Sequence, residues 1–184
     1  MTEGTWLVVG VQASGKSTVA DLLAHQFERG VHIHGGQFYR WAVNGWVHPW
    51  SEDSEEARRL LDLRYRLSAL AANEYCDAGF TTVVQDNLYG EDVRAWLRRV
   101  TFRPRYLVVL RPTAAVVEER EKARRASLGK VAYRQGEVSV QELDELLEAT
   151  PKIGLWLDTS AQTPIETMQE ILERRSEAIV DAVI

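Results

Sequence analysis

The stretch Gly10-Val11-Gln12-Ala13-Ser14-Gly15-Lys16-Ser17 decides the fold of this 184-residue chain. It follows an apolar run at residues 5–9, which predicts a short strand, and it precedes residues 16–29, whose apolar positions have helical spacing. Glycines at the first and sixth positions allow main-chain amides to converge on phosphate oxygens. Because the stretch stands between a strand and a helix, it predicts a phosphate-binding loop, with the positive end of the helix directed at the same anions.

The side chains of this loop indicate that the ligand is a triphosphate. Lys16 is placed to reach the terminal phosphates as a point charge, and Ser17 can offer its hydroxyl to Mg²⁺. Thr18 can add a further phosphate contact. We therefore expect catalytic participation of Lys16, metal binding at Ser17, and nucleoside-triphosphate binding at Gly10, Ala13, Ser14, Gly15, Lys16, Ser17 and Thr18.

The composition is that of one globular domain over residues 1–184. The hydrophobic fraction is 45%, and no run approaches the roughly 18 apolar residues of a membrane span. The net charge of -5 argues against a nucleic-acid partner. The first residues lack a secretory pattern, and the single cysteine, Cys76, allows no intrachain disulfide, so we expect a cytoplasmic protein with no membrane attachment. The four histidines lack zinc-site spacing.

Strand-like and helix-like segments alternate along the rest of the chain. Further strands are predicted at residues 31–34, 80–85, 106–110 and 154–158. A long helix starting near Ser51 or Asp53 and ending at Gly79 is marked by Leu60, Leu63, Leu67 and Leu70. Capping boxes predict that the last two helices start at Ser139 and Thr163. The alternation favours an α/β fold, in which a parallel sheet lies between helices.

The chain resembles the small P-loop kinases, a group that includes chloramphenicol phosphotransferase, shikimate kinase, gluconate kinase and adenylate-kinase-like enzymes. It is most similar to an actinobacterial-type family of small ATP-binding, chloramphenicol-phosphotransferase-like proteins. The likeness covers nearly the whole chain and includes the segments Gly15-Lys16-Ser17-Thr18, Val31-His32, Tyr65-Arg66-Leu67, Val84-Gln85-Asp86, Leu107-Val108-Val109-Leu110 and Gly154-Leu155-Trp156-Leu157-Asp158-Thr159-Ser160. Of these, only the P-loop is highly specific.

The resemblance implies a three-layer fold like that of nucleoside monophosphate kinases, with five parallel strands in the order 2-3-1-4-5. It also implies Mg²⁺-dependent phosphoryl transfer from ATP to a hydroxyl of a small molecule, either a metabolite or an antibiotic. We expect a substrate-binding segment at about residues 35–78 and a lid at about residues 120–139. Neither the acceptor nor the oligomeric state follows from the sequence.

Asp86 is the candidate for handling the acceptor proton or the metal. It directly follows a predicted strand and should therefore lie at the carboxyl edge of the sheet, beside the phosphate loop. There it can hold Mg²⁺ through water or accept a proton from the substrate. The alternative is that its carboxylate caps a turn or the next helix.

Gly36 departs from the pattern of the related kinases, in which an aspartate is expected at this position as the base that activates the acceptor. Asp86 then carries the role alone, or the substrate differs, or the protein binds nucleotide without efficient transfer. Gly36 can equally leave space for a larger substrate.

The segment around Gly36 also supplies candidate acceptor contacts. Arg40 can hold an anionic or hydroxylated substrate, or simply pack its aliphatic stem on the surface. Aromatic residues are dense here, which fits either a stacking pocket or ordinary packing over the core, and they are Phe38, Tyr39, Trp41, Trp46 and Trp50. The predicted substrate-binding residues are Gly36, Phe38, Arg40, Trp41 and Asp86.

A basic run between residues 120 and 134 is the lid candidate. Such a segment can bring guanidinium groups to the transferring phosphate when substrate binds, so Arg120 and Arg124 are predicted to be catalytic, and Arg120 also to contact nucleotide. The same charges also fit a solvated helix face. By resemblance, Thr159 and Ser160 lie in the loop that contacts adenine.

Three functions remain compatible with these patterns. The leading hypothesis is the ATP-dependent small-molecule kinase. A second is a nucleotide-binding regulator or degenerate kinase, which Gly36 suggests. The third is a polynucleotide-kinase-like enzyme that stacks bases on the aromatic segment, which the negative net charge disfavours.

Overall fold

The computed structural model describes residues 3–49, 54–128, 139–182 and 184. Strands and helices alternate as the sequence predicts. In chain order the elements are β1 (Thr5–Gly10), α1 (Lys16–Ala24), β2 (Gly30–His34), α2 (Gln37–Arg40), α3 (Ser54–Asp77), β3 (Thr81–Gln85), α4 (Glu91–Arg99), β4 (Arg105–Leu110), α5 (Ala114–Leu128), α6 (Val140–Glu148), β5 (Leu155–Leu157) and α7 (Pro164–Glu173).

The five strands form one parallel sheet in the order β2-β3-β1-β4-β5. The predicted fold class and strand order are therefore confirmed. Strands β1, β3 and β4 are buried along their whole length, because helices cover both faces of the sheet. One face packs against Tyr65, Ala69, Trp96 and Leu143, and the other packs against Val19, Leu23, Met168 and Ile171.

Helix α3 is confirmed, but its buried face differs from the leucine pattern that predicts it. Leu70 is 54% exposed. The buried stripe consists of smaller or polar side chains together with one tyrosine, namely Ala57, Arg64, Tyr65, Ser68, Ala69, Ala72 and Cys76. Tertiary contacts with β3 and α4 thus override the apolar periodicity, and they bring an arginine into the interior.

Both predicted capping boxes are present. Ser139 caps α6 with Glu142, and Thr163 caps α7 with Glu166. Helix α7 ends at Glu173. Within the described residues, no helix has the length and apolar character needed to cross a bilayer. The predicted start of the long helix at residues 51–53 lies outside the described residues, and so does half of the predicted lid, residues 129–138.

Candidate active site

Three loops meet at the carboxyl edge of the sheet, where parallel α/β sheets bind their ligands. The phosphate loop follows β1 directly. The amide of Asp86, just after β3, donates to the carbonyl of Val8 in β1 at 3.2 Å, and the amide of Gly35, just after β2, donates to the carbonyl of Gln85 at 3.0 Å. The loops that carry the predicted phosphate and acceptor residues are therefore neighbours.

The backbone of residues 10–15 has a conformation that requires glycine at two positions. Gly10 has a φ of 152°, and a Cβ there would lie 2.8 Å from Ser14 Oγ and closer still to the carbonyl oxygen of Leu110. Gly15 has a φ of 97°. Ala13 adopts a φ of 63°, which is uncommon for a residue with a side chain and is found at functional sites. The loop is thus held in a tight curve, as phosphate binding requires.

Lys16 lies within this curve at the start of α1. Its Nζ donates to the carbonyls of Gly10 at 2.8 Å and Val11 at 2.7 Å, and the residue is 6% exposed. Ser14 Oγ is buried with no hydrogen-bond partner among the described residues, while Ser17 and Thr18 are exposed on the first turn of the helix. The ammonium, the hydroxyls and the helix N-terminus together fit a polyphosphate.

Arg120 connects α5 to the phosphate loop. Its guanidinium donates to the carbonyl of Ser14 at 3.2 Å and to the carbonyl of Thr159 at 2.8 Å. The structure therefore places this predicted lid residue beside the phosphate loop. The Arg124 side chain lies outside the described part of the chain.

The predicted adenine loop follows β5. Thr159 is 2% exposed, and its carbonyl accepts a hydrogen bond from Arg120. The Ser160 hydroxyl donates to the Asp158 carboxylate and accepts a hydrogen bond from the Thr113 amide at 2.8 Å. The main chain of Thr159 thus contacts Arg120, whereas the Ser160 hydroxyl is engaged in hydrogen bonds with Asp158 and Thr113. Contact of either residue with adenine stays a prediction.

Arg64, which the sequence patterns did not single out, is the partner of Asp86. Its Nε donates to Asp86 Oδ2 at 3.1 Å, and its Nη2 forms an ion pair with Oδ1. Oδ1 also accepts a hydrogen bond from the Asn87 amide at 2.7 Å. Asp86 is 1% exposed and Arg64 is 9% exposed, and burial lowers the pKa of Arg64. Both oxygens of Asp86 are engaged, so metal or substrate would reach them only after Arg64 moves.

A titratable side chain lies in close contact with each of the consecutive glycines Gly35 and Gly36. A Cβ on Gly35 would fall inside the Asp86 carboxylate. A Cβ on Gly36 would lie 2.9 Å from Cε1 of His34. The space next to Gly36 is thus partly filled by an imidazole, and an aspartate at this position would require His34 to move.

His34 is partly buried and lies near positively charged side chains. Burial lowers the pKa of its imidazole to about 4, with further lowering by the charges of Arg40, His32 and Arg64. Its Nδ1 is buried without a hydrogen-bond partner among the described residues. The imidazole is therefore neutral at physiological pH.

A pocket of about 420 Å³ opens beside this loop. Its lining consists of Gly36, Tyr39, Arg40, Ala42, Val43, Trp46 and Arg64. Two predicted substrate residues, Gly36 and Arg40, are among them. Phe38 packs against the core, Trp41 is 71% exposed outside the lining, and Asp86 lies behind Arg64. The role of these last three in acceptor binding stays a prediction.

The described residues supply few ligands for a metal ion. No group of three or more histidine, cysteine or acidic side chains within them is arranged to hold one. Mg²⁺ needs only one or two protein oxygens when phosphates and water complete its octahedron. The exposed Ser17 hydroxyl fits that requirement, while Asp86 does not as long as it is paired with Arg64.

The strand order, the glycine-dependent loop after β1 and the buried lysine define a P-loop protein with the fold of the small P-loop kinases. The chain belongs to the family AAA_33, described as an AAA domain, whose model matches residues 6–150. None of the curated proteins matches the chain.

Solved structures of kinases share the fold. An unliganded sugar kinase from Janibacter sp. HTCC2649 is 20% identical, with 95% of each chain covered and a TM-score of 0.64. The APS kinase of Mycobacterium tuberculosis, in complex with AMPPNP and APS, is 19% identical, with 92% of this chain and 95% of that chain covered and a TM-score of 0.63. A shikimate kinase from Acinetobacter baumannii, in complex with shikimate, is 18% identical, with 92% and 91% covered and a TM-score of 0.54.

Proposed function

We propose that the protein is an ATP- and Mg²⁺-dependent phosphotransferase that acts on a hydroxyl of a small molecule. One observation carries the proposal: the phosphate loop with Lys16 and Arg120 is connected through the loops after β2 and β3 to a separate pocket large enough for a metabolite. A donor site and an acceptor site at one sheet edge are what phosphoryl transfer between two bound molecules requires.

In this proposal the protein supplies positioning and positive charge. Lys16, Ser17, Thr18 and the loop amides hold the phosphates, and Ser17 provides the protein ligand for Mg²⁺, which neutralises charge on the phosphate oxygens. Arg120 reaches the same region from α5 and exchanges its carbonyl partners for phosphate oxygens. Arg124 is proposed to join it from the lid.

The acceptor would be held by the loops after β2 and β3. Because both oxygens of Asp86 are engaged, we assign Asp86 first to fixing Arg64, and we assign it contact with the acceptor proton or the metal only in a state in which Arg64 has moved. The expected base at position 36 is absent, but a loose transition state depends more on the orientation of the hydroxyl than on its deprotonation.

The structural neighbours support the same class of reaction. The APS kinase structure contains APS together with the ATP analogue AMPPNP, and the shikimate kinase structure contains shikimate. We propose that this protein likewise binds ATP and an acceptor at separate sites, with acceptor contacts at residues 35–78 and a lid at residues 120–139. We also propose that residues 1–184 form one domain and that the protein is located in the cytoplasm, where ATP is abundant.

The test is a screen of hydroxylated metabolites and antibiotics with ATP labelled at the terminal phosphate and with Mg²⁺ present. We expect label transfer to at least one acceptor, loss of transfer on removal of Mg²⁺ by EDTA, and no transfer by Lys16→Ala. ATP binding without transfer to any member of a broad panel would contradict the proposal.

That outcome would favour the second candidate, a nucleotide-binding regulator. The observation in its favour is the pairing of Asp86 with Arg64 together with glycine at position 36, which leaves no unpaired carboxylate among the described residues of the loops after β2 and β3. A regulator would bind ATP with unchanged affinity in Asp86→Asn, and neither protein would turn it over.

A further inference from the structure

We propose that the acceptor carries a negatively charged group, and that Arg40 and Arg64 recognise it while Trp46 contacts an apolar or ring-shaped part of the same molecule. This inference rests on the proposed function, since it names the class of molecule that enters the acceptor pocket. The charged group is a carboxylate, sulfonate or phosphate, and the panel described below separates these.

The described residues that line the pocket carry charges of one sign. Arg40 and Arg64 are the charged ones, and the others are glycine, alanine, valine, tyrosine and tryptophan. Among these described residues there is no acidic side chain. They offer a cationic acceptor no carboxylate, whereas an anion would meet two guanidinium groups.

Arg40 is not paired with a carboxylate among the described residues. It is exposed at the end of α2, and its side-chain contact there is with the neutral Gln37, whose Oε1 lies 3.5 Å from Nη1. Other exposed arginines of the structure do pair, for example Arg58 with Asp92 and Arg59 with Glu56. Arg40 is thus available for an anion that enters the pocket.

Unlike Arg40, Arg64 is buried, and its guanidinium is held by a carboxylate. Asp86 engages Nε and Nη2, which are two of the three guanidinium nitrogens, and the Tyr39 ring lies 5.0 Å from the guanidinium carbon. The close approach of Asp86 to Gly35 shows how tightly this arrangement is held. The pocket thus combines a buried donor with an exposed one.

The two arginines also act on His34, whose ring lies against Gly36 of the pocket lining. Burial lowers the pKa of this imidazole most, and the charges of Arg40, His32 and Arg64 lower it further. A field that repels a proton from the imidazole attracts an anion to the same place.

The apolar part of the acceptor is inferred from the uncharged lining residues. Trp46 is 44% exposed and meets Tyr39 edge to face, with ring centroids 6.0 Å apart. Ala42 and Val43 add apolar surface to the lining, and Val43 is 90% exposed. An exposed aromatic surface beside two cations fits a molecule that is apolar at one end and anionic at the other.

The experiment compares acceptors that differ only in charge, by isothermal titration calorimetry with the full chain. The first pair is 4-(hydroxymethyl)benzoate and 4-(hydroxymethyl)benzamide, with 4-(hydroxymethyl)benzenesulfonate and 4-(hydroxymethyl)phenyl phosphate as the other anions. The pair 4-hydroxybutyrate and 4-hydroxybutyramide shows what the ring adds. We expect each carboxylate to bind about tenfold or more tightly than its amide, and the difference to shrink at high salt.

Arg40→Gln should reduce the preference for anions to about threefold or less, since one of the two charges is gone. Arg66→Gln is the matched control, because it removes an exposed arginine of α3 that pairs with Asp62 and does not line the pocket. Arg66→Gln should bind like the wild type. Trp46→Ala should weaken the aromatic acids but not 4-hydroxybutyrate.

Equal or tighter binding of the amides, no binding of any acid, or equal effects of Arg40→Gln and Arg66→Gln would overturn the inference. These outcomes are separate from a failure of the proposed function. Efficient phosphorylation of neutral alcohols would contradict the anionic acceptor and leave the phosphotransferase intact. Tight binding of acids without phosphorylation would support recognition of an anion and contradict the phosphotransferase.

Discussion

The guanidinium of Arg64 in α3 and the carboxylate of Asp86 after β3 form a buried ion pair, with Nε 3.1 Å from Oδ2. The pair joins helix α3, which contributes Arg64 to the pocket lining, to the edge of the sheet that carries the phosphate loop. It therefore influences both the stability of the fold and the position of a cation in the pocket.

Asp86→Asn should destabilise the protein by about 3 kcal/mol, because the buried Arg64 guanidinium would lose its charged partner. Urea unfolding gives the free energy of unfolding. The control is Asp62→Asn, which breaks partly exposed ion pairs to Arg66 and Arg99 and should cost less than about 1 kcal/mol. Equal effects of the two substitutions would show that the Arg64 pair is not structurally important.

Gly35→Ala should displace the Asp86 carboxylate, because the added methyl group takes its space. We expect a loss of about 2 kcal/mol in the free energy of unfolding, typical of overpacking. Gly36→Ala should cost less, since the imidazole of His34 that it meets at 2.9 Å can rotate. If Gly36→Ala were the more damaging change in thermal unfolding, the described positions of Asp86 and His34 would be incorrect.

Arg120→Ala should weaken ATP binding about tenfold, because a charged donor next to the phosphate loop is lost. Fluorescence competition with a labelled ATP analogue measures this affinity. Lys122→Ala, an exposed residue of the same helix, serves as the control and should leave affinity unchanged. A loss of affinity in Lys122→Ala that matched the loss in Arg120→Ala would indicate a general charge effect.

His34 should make stability depend on pH in mildly acidic solution. Because its pKa is lowered from 6.5 to about 4 in the folded protein, the unfolded chain takes up a proton in that interval while the native chain does not. Stability should therefore fall as pH decreases from 6.5 towards 4, by about 1 kcal/mol for this partly exposed group.

His34→Gln cannot titrate, so it should lose less stability than the wild type over the same interval. Thermal unfolding of both proteins at a series of pH values provides the comparison. Parallel curves for the two proteins would mean that the imidazole has an ordinary pKa in the folded state.

The fold and the phosphate loop could be predicted because their signals are local. The loop residues stand between a strand and a helix in the sequence. The strand order follows from the resemblance to the small P-loop kinases, of which this loop is the most specific feature. The acceptor side was less predictable, because it depends on which face of a helix packs inward. The leucine spacing of α3 points to Leu70, which is exposed, and away from Arg64, which is buried.

The aromatic segment around Gly36 also shows that the sequence does not reveal which side chains of a helix pack inward. Phe38 and Tyr39 are adjacent on a four-residue helix, yet Phe38 packs on the core while Tyr39 lines the pocket. The high aromatic content of the segment predicts either a stacking pocket or core packing, but only the packing of the helix determines which ring faces the pocket. A buried basic residue 22 positions before Asp86 leaves no local signal that identifies its partner.

Nucleotide binding at the phosphate loop underlies all the other assignments, and the ATP affinity of Lys16→Ala measures it. Because the ammonium of Lys16 lies inside the phosphate loop, its removal should weaken ATP binding by about 100-fold or more in calorimetry, with little change in thermal stability. Lys152→Ala, at the Trp156 ring far along the chain, should bind ATP like the wild type. Wild-type affinity in Lys16→Ala would contradict the account.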